Sequence, residues 1–252
     1  MASSFFGRFF APRAKTRVSG QPTSSNGASS FHLFWDVPPE PLRSVAVTLT
    51  VLEPPLTPDL FFWALQMSFL EDGQRTGAGH LGLQHHPRYP GSTAANWGGY
   101  GRNGQELGGE LFLPSSLNNP NTCDFEWRPG TPYRLRVEPS PVTGWRGSIT
   151  DLSTNSEVVL RDLEGSGDAL GAPMVWSEVF ADCDASSTAI RWSDPTVETM
   201  SGYLIQVTSA RVNYQSEANG GCSNTTVLEG DTGVVQRTAA QRLVWPDATV
   251  SF

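Results

Sequence analysis

The sequence predicts an all-β chain folded as two packed antiparallel sheets, a sandwich or jelly roll. Three observations carry this. Period-two alternation recurs along almost the whole chain; one run puts Phe61, Trp63, Leu65, Met67 and Phe69 on one face and Ala64, Gln66 and Ser68 on the other. No stretch keeps a 3.6-residue apolar period long enough for a helix. Turn formers are abundant, with 25 Gly and 19 Pro in 252 residues, as a dozen or more short strands require. No internal repeat points to a propeller.

Residues 1–28 hold Arg8, Arg13, Lys15 and Arg17 and no acid. They read as a flexible basic and aromatic arm with a linker, VSGQPTSSNGASS, leading to a sandwich domain over 29–252. The arm's FFGRFF is a candidate anchor on a protein partner. A targeting peptide is the other reading of this stretch, but Arg8 splits the apolar core that a secretory signal needs.

The strands begin at FHLFW, before the turn DVPPEP, and Val45, Val47, Leu49 and Val51 then alternate with Ala46, Thr48 and Thr50. The 61–69 run follows, then EDGQRTG as a connection. The return run puts Leu81 and Leu83 inward and His80, Gly82, Gln84 and His86 outward. This is the pattern of an antiparallel hairpin with one buried and one wetter face. Residues 87–101 start as a loop and extend through AANWGGY. GELFLP, CDFEW and YRLRVEPS read as further strands, and GWRGSITDLST pairs with EVVLRDLEG across the turn STNS. MVWSEVFAD, TAIRWSD, SGYLIQVTSARVNYQS, TTVLEG and GVVQRTA complete the set.

A net charge of −8 argues against a nucleic-acid partner, which needs a basic field. No apolar run approaches the roughly 20 residues that span a bilayer. Charged residues make up only 17%, a balance more usual in exported or wall-associated proteins. Of three cysteines, Cys183 and Cys222 lie in polar, turn-like settings that suit a disulfide, whereas Cys123 opens the apolar CDFEW and suits a buried thiol.

The densest polar cluster is Gln84, His85 and His86, with His80 before it. Gln84 and His86 as hydrogen-bonding groups and Trp97 and Tyr100 as stacking platforms compose a candidate glycan site. The competing reading has the histidines capping backbone groups where strand meets loop. Glu178, with Asp182 and Asp184, is the leading acid cluster, and paired carboxylates are what glycoside hydrolysis uses. If the chain is an enzyme, Glu178 and His86 are the expected catalytic groups. Against this, Glu178 is read as satisfied by an arginine such as Arg191 or Arg134, and Asp182 and Asp184 as turn acids or ligands for calcium. A lyase built on Gln84, His86, Tyr100 and Arg102 is a further alternative. No zinc spacing, G-x-G-x-x-G or P-loop is present, so no other metal or cofactor is expected.

Several motifs together, FFWALQMSF with GHLGLQ, NWGGYG, CDFEWRPGTPYRLRV, GWRGSITDL and VWSEVFADCD, resemble a bacterial family of concanavalin-like sandwich domains that bears a domain-of-unknown-function label. The resemblance spans roughly residues 31–240. It implies an extracellular, sugar-associated setting and supplies no catalytic residues. The expectation is a non-catalytic carbohydrate-binding or surface-interaction module, with Glu178 at the groove margin. Its alternatives are a polysaccharide hydrolase or lyase, and a structural subunit docking through the arm. Localisation is expected to be extracellular or at the cell surface; without a recognisable signal peptide, cytoplasmic is the alternative.

Overall fold

A computed structural model describes residues 16–252, and over them the alternation resolves into sixteen strands, all paired antiparallel. The expected sandwich is there. Its first sheet runs β14 (Thr226–Gly230), β15 (Gly233–Arg237), β11 (Ala189–Thr199), β2 (Leu42–Glu53), β7 (Pro132–Pro139), β8 (Trp145–Asp151), β9 (Ser156–Leu163), with β12 (Leu204–Gln206) on the far end of β11. The second runs β16 (Thr249–Ser251), β13 (Ser209–Tyr214), β1 (Ser29–Trp35), β10 (Ala169–Val179), β3 (Phe61–Glu71), β4 (Gln74–His85), β5 (Thr93–Gly101), β6 (Thr122–Asp124). One backbone pairing, Leu42 with Leu170 at the start of β10, joins them. Just beyond it the register shifts between Gly171 and Met174, with Ala172 at φ 47°; this bulge turns β10 into the second sheet.

The β3–β4 hairpin is tighter than EDGQRTG implied. Asp72 and Gly73 both take positive φ, 50° and 72°, which is the two-residue turn whose twist matches the strands. Gln74 onward is therefore strand, not connection. GELFLP is also corrected: only Leu111 makes an isolated bridge, to Arg161.

Phe61, Trp63, Leu65, Met67, Phe69, Leu81 and Leu83 all lie in the core between the sheets, as their phase required. Phe69 stacks on Trp145 of the facing sheet with ring centroids 5.7 Å apart. The core also holds one polar bolt. The Gln236 side chain, buried on β15 of the first sheet, donates to the Phe31 carbonyl (2.9 Å) and accepts from Trp192 Nε1 and Ser177 Oγ (2.8 Å each). Phe31 and Ser177 belong to the second sheet, so one amide ties the two layers together.

Arg161, on β9, is wholly buried. It donates to the carbonyls of Trp97 (3.3 Å), Pro120 (2.6 Å) and Leu107 (3.2 Å) and to Asn121 Oδ1 (2.6 Å). That fork pins the long excursion between β5 and β6 against the sheet edge.

Candidate functional site

Residues opposite one another in an antiparallel sheet share a face, so the register assembles the outer face of the second sheet directly. One row reads Ser30, Glu178, Phe62, Gln84 and Ala94 across β1, β10, β3, β4 and β5. The next two read His32, Trp176, Ala64, Gly82, Asn96, and Phe34, Met174, Gln66, His80, Gly98. Tyr100 follows, opposite Ala78. From β13 to β5 this face spans six strands, about 24 Å at the usual spacing.

Its centre is an aromatic cluster seated on Ala64. Phe62 meets Trp176 edge to face at 4.9 Å and His80 at 5.7 Å, and His80 lies 6.2 Å from both Trp176 and Tyr100. Trp176 Nε1 donates to Gln66 Oε1 at 3.0 Å, and the Gln66 amino group makes no hydrogen bond among the described residues. Crowding by protein pushes His80 and His32 down to pKa values of about 4, although each keeps an edge in solvent, so both are neutral at pH 7. Burial raises the Glu178 carboxyl above its ordinary value, against the opposing pull of a hydrogen bond from Asn26 Nδ2 at 2.8 Å.

Gln84 stands apart from all of these. The residue is 6% exposed, yet its side chain makes no hydrogen bond among the described residues, and its Oε1 is buried without a partner. Asn96 Oδ1, diagonal to it, is likewise buried and unpaired, its amino group being held by Thr122 Oγ1 at 2.8 Å. A buried polar atom left unbonded costs about 1–3 kcal/mol. Both oxygens are sealed from solvent; the Gln84 amino group, which also makes no hydrogen bond among the described residues, is the part of the amide that a group from outside can reach.

Two walls rise beside this face. Asn121 packs on Gly98, bringing the 114–122 segment against β5. On the other side residues 16–28 form a strap rather than a flexible linker, which corrects that part of the expected arm. Hydrogen bonds hold it: Cys183 N–H to the Gly20 carbonyl (2.9 Å), Gly20 N–H to Asp184 (2.9 Å), Thr23 N–H to the Gly220 carbonyl (3.0 Å), and a contact between Gln21 and Asp182. The Cys183–Cys222 disulfide forms as expected and anchors this corner. Closing its 39-residue separation is worth about 3–4 kcal/mol on the loop-entropy account. FFGRFF lies outside the described residues.

No family model matches the sequence, and no curated protein matches it. Among solved structures the chain is similar to Scytalido-glutamic peptidase bound to a peptide-based transition-state analog (TM-score 0.49, 11% identity, 87% of this chain and 98% of that one). It is also similar to SCP-B, a member of the eqolisin family of peptidases, in complex with the tripeptide Ala-Ile-His (TM-score 0.43, 11% identity, 87% and 98%). The enzymatically active domain of bacteriophage CBA120 tailspike protein 2 matches at TM-score 0.31 and 13% identity, over 84% of this chain and 30% of that one. Likeness at this level says nothing about activity.

The structure brings Gln84, Glu178 and Tyr100 to the one face and removes two other candidates. Trp97 is a core residue, not a stacking platform. Its ring fills a slot left by glycines: a Cβ on Gly79 or Gly147 would come within 2.6–2.7 Å of the indole, and its Nε1 donates to the Trp145 carbonyl at 3.2 Å. His86 falls beyond the end of β4, in the loop, edge to face with Tyr89 at 4.8 Å and accepting from the Arg88 N–H at 3.4 Å. It is the capping group of the competing reading. The lyase set is dispersed too, because six residues of strand, about 20 Å, separate Gln84 from the position opposite Tyr100.

The arginine partners expected for Glu178 are engaged elsewhere: Arg134 binds Thr196 and the Asp194 carbonyl, and Arg191 binds Thr232. Asp182 and Asp184 hold the strap, and among the described residues no carboxylate contributes to the Glu178 shift. Among the described residues no group of three or more His, Cys, Asp or Glu side chains could hold a metal ion. Cys123 is free and buried, its thiol pushed up to about 12 by desolvation. His32, Gln66, Asn26 and Trp176 were not singled out from the sequence. Alternation alone placed Gln66 outward and set Trp176 beside Glu178, whereas Asn26 sits in a stretch with no periodic signal.

Proposed function

We propose that the outer face of the second sheet binds an extended, hydroxyl-rich polymer, a polysaccharide, without turning it over. The observation that carries this is the buried, unbonded Gln84 amide in a face whose centre is uncharged and aromatic. Neutral His80 and His32 and the amino groups of Gln66 and Gln84 offer directional hydrogen bonds, and half-exposed Tyr100 offers a platform, the mix that glycan recognition uses. The 24 Å span favours a chain over a monosaccharide. The motif resemblance to a sugar-associated family supports the same reading, and the disulfide supports an oxidising, extracellular setting.

A second reading, a hydrolase, has its own observation: a half-buried carboxyl with a raised pKa, Glu178, across Phe62 from an unpaired amide donor, Gln84. It ranks second because the glycosidase pair needs a second working carboxylate, and Asp182 and Asp184 are taken up by the strap while no carboxylate among the described residues perturbs Glu178.

A glycan-array screen, with reducing ends and unsaturated products followed in the same samples, tests both. Saturable binding to one glycan class without products is the expected result. Tyr100→Ala and Gln84→Leu are expected to weaken it about tenfold each, close to 1.4 kcal/mol. Product formation abolished by Glu178→Gln would establish the hydrolase instead, and silence in both assays would remove the polysaccharide reading.

A further inference from the structure

The β5 end of the face carries a feature that a neutral polymer does not explain. A concavity of about 450 Å³ opens there between Gln66, His80, Tyr100, Arg75 and Arg102. Arg75 Nε donates to the Gly77 carbonyl at 3.3 Å, and Arg102 Nε donates to the carbonyl of Arg75 itself at 3.2 Å. Each guanidinium is thus steadied by one backbone contact. The terminal amino groups of both make no hydrogen bond and no ion pair among the described residues.

Elsewhere Arg43, Arg128, Arg136, Arg146, Arg211 and Arg237 pair with carboxylates, and Arg134, Arg161, Arg191 and Arg242 spend terminal amino groups on carbonyl or hydroxyl oxygens. In a chain with 25 acids against 17 bases, Arg75 and Arg102 lie side by side with their terminal amino groups on neither kind of partner among the described residues. The nearby acid Glu106, bridged to Tyr100 through the backbone, is engaged by Asn121. Holding two like charges together opposes folding, and an anion supplied from outside relieves that opposition.

We propose that this concavity is a subsite for a carboxylated sugar, so that the polymer bound by the face is a uronic-acid polysaccharide. The proposal rests on the polysaccharide reading above and adds the ligand's charge to it. A planar carboxylate matches the guanidinium fork, whose hydrogen bonds to it are charge-assisted. Tyr100 stacks the ring that bears the carboxylate, and the free Gln66 amino group donates to a ring hydroxyl.

The test is affinity electrophoresis or calorimetry with three probes, oligogalacturonate, oligomannuronate and hyaluronan oligosaccharide, each as the free acid and as its methyl ester. At least one free acid is expected to bind at low salt and to weaken as salt rises. Its methyl ester, and the Arg75→Gln/Arg102→Gln variant, are expected to bind at least tenfold more weakly; Arg75→Lys/Arg102→Lys, which keeps charge but loses the fork, is expected to fall between. Both arginines are exposed, so an unchanged melting temperature is expected of the variants and checks that the fold is intact. Equal binding of acid and ester, unmoved by the variants, would overturn the acidic subsite and leave the glycan reading standing, as would binding of uncharged glycans with none of a uronate. No binding of any glycan, charged or neutral, would remove both.

Discussion

Acidification from pH 7 to pH 4 is expected to remove about 6 kcal/mol of folding stability through two histidines. His32 and His80 have folded-state pKa values of about 4 against 6.5 in the unfolded chain, lowered by burial. Above pH 6.5 both states are neutral at these sites and stability does not depend on them. Below it the unfolded chain takes up protons that the folded chain refuses, and stability falls until the folded histidines also titrate, near pH 4. Each contributes about 3 kcal/mol at 1.36 kcal/mol per unit. Arg75 and Arg102 share the concavity of His80, and Arg211 lies over Phe34 beside His32, so these cations oppose protonation, while Glu178, diagonal to His32, works against them. Glu178 works in the opposite sense: its raised pKa makes the folded state take a proton more readily and returns part of the loss. A domain holds about 5–15 kcal/mol in all, so the protein is expected to be near its unfolding threshold at pH 4. Denaturant titrations across this range check the slope, and His32→Gln/His80→Gln is expected to flatten it. A wild-type profile already flat between pH 6.5 and 4 would refute the assignment.

Replacing Gln236 by Leu is expected to cost about 3–5 kcal/mol. The substitution keeps the volume but strands three buried partners at once: the Phe31 carbonyl, the Trp192 N–H and the Ser177 hydroxyl. Each stranded group costs about 1–3 kcal/mol, less for the hydroxyl, which can rotate. For a chain of this length the melting temperature should fall by roughly 10 °C. Thermal unfolding of the variant measures it, and a shift below about 2 °C would mean that the two sheets do not depend on this amide. Glycan affinity measured below the transition is expected to be unchanged, because Gln236 lies between the sheets and the proposed groove lies outside them.

Much of the fold was legible because alternation at period two is read directly from residues such as Phe61 to Phe69, and the core is built from them. The site was legible where phase was certain: Gln84 and Gln66 belong to long alternating runs, so their outward position followed. Trp97 was misplaced although the signal was present. It is three residues from Tyr100, an odd number, and in a regular strand the two side chains leave opposite faces. The glycines that make room for its ring, Gly79 and Gly147, lie on other strands and become meaningful only with the register. His86 was assigned to a strand that ends one residue earlier, since a strand's end is set by where its partner runs out. The strap could not be read at all: Arg17 to Ala28 has no periodicity, and its order comes from hydrogen bonds to residues some 150–200 positions away.

The placement of β1 has a consequence for the nascent chain. Phe31 pairs with Ser177 on one side and Tyr214 on the other, 146 and 183 residues downstream (177 − 31 and 214 − 31). At the usual 5–20 residues per second, a ribosome needs roughly 7–30 s to deliver even the nearer partner. Throughout that interval Phe31, Leu33 and Trp35 have no sheet to enter, and β10, once made, has one edge waiting for them. β1, the earliest of the described strands, is therefore among the last of them to be seated. Its insertion between β10 and β13 closes the second sheet, bringing His32 and Ser30 alongside Trp176 and Glu178, so the proposed groove is complete only after Tyr214 has been delivered.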